Sequence, residues 1–78
     1  MAHIVIKTLS GKPQEQLQEA AEKVAAALSD ALGKPSKYFS VSVEEYERDQ
    51  WPGVYEENIK DRDNVLVKPW YSNPVTFE

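Results

Sequence analysis

The group in this chain best placed for proton chemistry is the main chain's own amine. Met1-Ala2-His3-Ile4-Val5-Ile6-Lys7 reads as a β-strand from its second residue, which sets the amino terminus inside the fold instead of on a frayed tail. Removal of Met1, which a small second residue normally permits, leaves the α-amine on Ala2. An α-amine has a reference pKa of about 7.7–8.0, so about a quarter of it is free base near pH 7.4. That range suits a general base or an amine nucleophile. The same pattern also reads simply as the first strand of a small domain, the commoner case.

Other reactive groups are few. With no cysteine, thiol catalysis, thiolate metal ligation and disulfide stapling are excluded together. A single histidine, His3, without a histidine–carboxylate spacing predicts no metal site. Nine basic residues against thirteen acidic ones give a net charge of −4. Nucleic acid calls for a concentrated basic face, and none is visible. The scattered cations still suffice for a small anionic substrate. No apolar run approaches the roughly 18 residues of a membrane span, and no basic-apolar leader precedes the first strand. These features predict a cytoplasmic protein with no membrane partner.

Two strands and a helix must position this chemistry. The first strand, Ile4 to Leu9, is rich in β-branched residues and ends at Ser10-Gly11. Pro13 suits the first turn of a helix, and Gln14 to Leu32 has no further Gly or Pro. Leu17, Ala20, Ala21, Val24, Leu28 and Leu32 fall on one stripe at spacings of three and four. Glu19 and Lys23 form an i,i+4 pair in the favoured order, and Gly33 then Pro35 provide the stop. Phe39 to Glu44 alternates apolar and polar residues, as a half-buried strand does. A crossover this long predicts a right-handed βαβ unit with parallel strands. Arg48 to Asn64 reads as loop with a helical turn or two, Val65-Leu66-Val67 as a short third strand, and Pro69 to Glu78 as an aromatic tail.

The expected class is therefore α/β, one small domain over residues 1–78. A chain of this size buries only about 60% of its extended-chain surface, so its core is marginal. One helix covers one face of the sheet, leaving Val5, Leu9 and open strand edges on the other side. Completion by oligomerisation is expected, with Val65 to Lys68 and Trp70-Tyr71 as the segments that reach a neighbour.

The order of these residues resembles the 4-oxalocrotonate tautomerase family, small βαβ proteins that act as homo-oligomers. The likeness runs to about Tyr71 and is greatest to the bacterial subgroup of about this length. That subgroup begins Pro-His-Ile-x-Ile-Lys, has Glu-Gln before the helix and Trp after the second strand, and ends near Ile-Lys-x-Pro-x-Tyr. Here those features read His3-Ile4-Val5-Ile6-Lys7, Glu15-Gln16, Trp51 and Val67-Lys68-Pro69-Trp70-Tyr71.

The resemblance implies cofactor-free proton shuttling on small enolic or 2-oxo carboxylates. In the family an amino-terminal proline is the base; the matching residue here is Ala2. Lys12 matches a family arginine that binds substrate, keeping the charge but losing the bidentate fork. Ser40 matches a second arginine and carries no charge, while Trp51 matches the pocket's aromatic wall. Arg48 and Arg62, the two arginines, are candidates for the missing charge, Arg62 within an Arg-x-x-x-Leu-x-Lys run that extends to Lys68. Each also reads as a solvated loop charge. His3 reads first as structural and second as a substrate contact, and Tyr38, Tyr46 and Tyr55 read as packing residues. A homodimer is expected, with a hexamer as the other family assembly. The departures at Ala2 and Ser40 also leave open a catalytically impaired relative that acts as a small-molecule or protein-binding module.

Overall fold

Strand β1 (Ala2–Leu9) contains four β-branched residues, Ile4, Val5, Ile6 and Thr8, whose stiff side chains favour extended backbone. The computed structural model describes residues 1–72. After β1, Gly11 takes a φ of 117°, a conformation open mainly to glycine, and the chain turns into helix α1 (Gln14–Leu32). Gly33 closes α1 in the left-handed region at φ 68°, its N–H donating to the Ser29 carbonyl at 2.9 Å. The Glu19–Lys23 pair forms at 3.1 Å. A 3-10 turn (Ser36–Tyr38) then leads into β2 (Phe39–Tyr46).

The two strands lie side by side in one sheet and run parallel. Their side-chain pairing carries the same information. His3 meets Ser40, and Lys7 meets Glu44 further along both strands, the same offset each time. The βαβ arrangement expected from the sequence is therefore present. Alternation puts Val41 and Val43 on the face toward α1, where they share a cleft with Leu17 and Ala21. His3, Lys7, Ser40, Ser42 and Glu44 fall on the opposite face.

Of the apolar stripe on α1, Leu17 is buried and Ala21, Val24 and Leu28 are half-buried. Ala20 and Leu32 are exposed instead, Leu32 by 55%. At 3.6 residues per turn these two lie about 60° to either side of the Leu17 line. A two-stranded sheet is too narrow to cover such a broad stripe.

The chain divides into two compact units, Met1–Glu45 and Tyr46–Glu78. Beyond β2, the second unit has a 3-10 turn (Arg48–Gln50) and helix α2 (Trp51–Asn58), the helical turns expected within that polar stretch. Val54 of α2 is buried, and with Leu17 it makes up the buried apolar set of the described residues. The expected third strand does not form: Val65-Leu66-Val67 has no strand pairing, and Leu66 and Val67 are 89% and 90% exposed. A strand exists only where a neighbour completes its ladder. Here Val65 instead donates its N–H to the Arg62 carbonyl at 3.3 Å, closing a turn. The expected tail is described from Pro69 to Ser72, and its remainder lies outside the described residues. No described helix is long and apolar enough to cross a membrane.

Candidate functional site

Ala2 is the first residue of β1 and is half-buried, while Met1 before it is fully exposed. Two other sequence-predicted site residues meet beside it. His3 Nδ1 and Ser40 Oγ are joined by a hydrogen bond of 2.7 Å, and His3 Nε2 lies 3.3 Å from Ser42 Oγ. Both ring nitrogens are thus engaged with hydroxyls of β2, which fixes the imidazole across the two strands. Ser40 serves here as its hydrogen-bond partner. Lys7 and Glu44 form an ion pair at 2.6 Å further along the same face; partly exposed pairs of this kind contribute about 0–1 kcal/mol.

Lys12 is not brought to Ala2. It sits exposed in the loop just after Gly11, at the opposite end of β1. Eight strand residues rising about 3.3 Å each separate the two ends by roughly 23 Å. No lysine side chain crosses that distance within one chain.

The remaining candidates belong to the second unit. Trp51 opens α2 directly after a capping box in which Glu47 and Gln50 satisfy each other's backbone N–H, with Glu47 N donating to Gln50 Oε1 at 2.7 Å. Pro52 follows in the first turn of α2, where its fixed φ suits a helix start. The indole of Trp51 packs edge-on to Tyr46, with ring centroids 6.4 Å apart, and donates its Nε1–H to the Tyr71 hydroxyl at 2.8 Å. Arg48 is exposed in the preceding turn. Arg62 folds back on the end of α2, donating from Nη2 to the Glu57 carbonyl. Lys68 is exposed and lines the same cleft as Arg62.

Tyr46 and Tyr55 pack as expected, Tyr46 on Trp51 and Tyr55 on Tyr71 at 5.7 Å. Tyr38 is 50% exposed and lies under the Lys37 ammonium at 5.4 Å. Ser42 beside His3 is not among the sequence-predicted candidates, and Tyr71, expected there only in a segment that reaches a neighbour, lies beside Trp51. Alternation along β2 places Ser42 on the same face as Ser40, a signal that was there to use. Tyr71 carried a weaker one: a half-buried indole N–H needs an acceptor, and a tail of polar aromatics can supply it. Among the described residues no group of three or more His, Cys, Asp or Glu could hold a metal ion.

Comparison with known proteins gives a consistent result. A family model described as tautomerase enzyme matches residues 3–62. A protein of Xylella fastidiosa named probable tautomerase is 36% identical over 73 residues, covering 91% of this chain and 89% of that protein. A probable tautomerase of Bacillus cereus is 35% identical over 51 residues, 65% of this chain and 84% of its own. Among solved structures, a 4-oxalocrotonate tautomerase homologue superposes with a TM-score of 0.59 at 31% identity, covering 65% of this chain and 81% of its own.

Proposed function

As this chain belongs to the tautomerase enzyme family, we propose that it catalyses keto–enol proton transfer on small 2-oxo or enolic carboxylates. The base is the α-amine of Ala2, freed by removal of Met1. The observation that carries this reading is that β1 begins at Ala2 itself, so the amine is held at the end of an ordered strand. In the ketonisation direction the amine lone pair takes the proton of the enol hydroxyl as the carbonyl forms. The resulting ammonium returns that proton to the adjacent carbon, and the amine is regenerated. Proton balance is closed without a cofactor.

The substrate's negative charge calls for cationic partners, for which Lys12 and one of Arg48 and Arg62 are assigned, with Trp51 as the apolar wall. Within one subunit β1 holds Lys12 at the far end from Ala2, so in this reading Lys12 reaches the site only from a second subunit. The functional unit in this reading is a homodimer in the cytoplasm. Exposed apolar side chains at Leu66, Val67 and Trp70 are consistent with such an assembly.

The test is ketonisation of an aryl enolpyruvate by protein whose mass shows Ala2 as the first residue. A rate clearly above buffer, abolished by acylation of the terminal amine, is the expected result. A rate that survives acylation removes Ala2 from the chemistry.

A further inference from the structure

Three of the nine basic side chains of this acidic chain, Lys60, Arg62 and Lys68, line a single cleft of about 550 Å³ in the second unit. That volume falls in the range of small-molecule sites. Its apolar lining includes the half-buried Tyr55, Tyr71 and Ile59. The two tyrosine rings stand 5.7 Å apart and tilted by 38°, and Trp70 packs edge-on to Tyr71 at 5.8 Å, so this wall of the cleft is aromatic. The cations are not used up by acidic partners. Lys60 reaches Glu56 only at 3.5 Å, Arg62 spends one donor on a main-chain carbonyl, and Lys68 makes no hydrogen bond or ion pair among the described residues. Arg62's planar fork retains further donors for a carboxylate or phosphate.

Asp61 and Asp63 also line the cleft, leaving an excess of one positive charge. That balance excludes a polyanion and favours one compact anionic group. We propose that this cleft binds a small aromatic anion, its ring against Tyr55 and Tyr71 and its carboxylate or phosphate among Lys60, Arg62 and Lys68. The proposal does not depend on the Ala2 amine or on turnover.

An amide-resolved NMR titration of the full chain with Met1 present tests it, using phenyl phosphate, phenylacetate and neutral benzyl alcohol as probes. Met1 masks the Ala2 amine, so binding and catalysis are read separately. A saturable response centred on Tyr55, Ile59, Lys68 and Tyr71 is expected, with a dissociation constant in the millimolar range or tighter. The stronger of the two anions identifies the source as a phosphate ester or an aryl carboxylate. Lys68→Ala, at an exposed position that does not threaten folding, is expected to weaken binding about tenfold, one decade in the dissociation constant. Lys60→Ala is expected to act in the same direction. Equal shifts with benzyl alcohol, no saturation by about 10 mM, or unchanged affinity in both lysine variants overturns the assignment.

Discussion

The indole N–H of Trp51 donates to the Tyr71 hydroxyl at 2.8 Å, so the segment after Lys68 pins the side chain assigned as the site's apolar wall. Tyr46 holds the same indole edge-on, and Trp51 is thereby fixed by an aromatic on each side in sequence. Replacing Tyr71 by Phe keeps the ring contact with Tyr55 but leaves the indole donor unpaired. A lost hydrogen bond of this kind costs about 1 kcal/mol. In a domain of this size that corresponds to a fall in Tm of about 4–8 °C. Trp70→Phe supplies a background in which Trp51 is the sole tryptophan, so its fluorescence reports the change directly. Unchanged emission and Tm would show that the bond contributes nothing.

Lys12 belongs at the far end of β1 from Ala2, and a shared site follows if it binds substrate. Loss of one charged contact is worth about 1.5–3 kcal/mol, so Lys12→Ala is expected to lower kcat/KM by about tenfold or more. Lys12→Arg is expected to retain activity, since it restores the bidentate fork. Mixing Lys12→Ala subunits with amine-acylated subunits is expected to recover turnover, because one site of each mixed dimer is then intact. Kinetics identical to the parent protein for Lys12→Ala remove it from the site, and failure of the mixture to recover contradicts a site shared between subunits.

Leu17 and Val54 are the buried apolar residues among those described, at 8% and 6% exposure. Leu17→Ala is expected to cost about 2–5 kcal/mol through lost burial and the cavity left behind. Small domains have about 5–15 kcal/mol in all, so the variant stands close to unfolding. Leu32→Ala, on the exposed flank of the same helix, is expected to stay within about 0.5 kcal/mol. Thermal unfolding by circular dichroism distinguishes the two, and equal effects would contradict the placement of the core.

Self-association is predicted at micromolar concentration. Leu66, Val67 and Trp70 are each more than four-fifths exposed, and the sheet ends at two open strands. Light scattering is expected to give a dimer for the parent chain and a shift toward monomer for Leu66→Lys with Val67→Lys. A parent chain that stays monomeric sinks this expectation.

The sequence reading succeeded where local signals and tertiary needs coincide. The stretch from Gln14 to Gly33 carries its own periodicity, ion pair and stop, and α1 has the bounds that those signals imply. The alternation of Phe39 to Glu44 likewise survives as β2. Val65 to Val67 do not form the expected strand for a specific reason: β-branched composition states a preference, but a strand requires a partner, and among the described residues none is supplied. The apolar stripe on α1 is wider than the face it buries, because periodicity alone does not say how much sheet lies beneath it. At the site, His3 and Ser40 were both singled out, yet their contact was not visible, because it depends on the register of two strands more than thirty residues apart. The Trp51–Tyr71 bond is hidden because it joins the start of α2 to a residue 20 positions on, outside any local pattern.

The central claim is that the free amine of Ala2 is the base, and one comparison tests it most directly. Enol ketonisation is measured for two forms of the same chain, one with Met1 retained and one with Ala2 terminal by intact mass. Met1 moves the free amine by one residue, about 3.8 Å between α-carbons, and misplacement by as little as 1 Å can cost about a hundredfold. The Ala2-terminal form is therefore expected to be at least about a hundredfold faster. Equal rates for the two forms would contradict the assignment of Ala2 as the base.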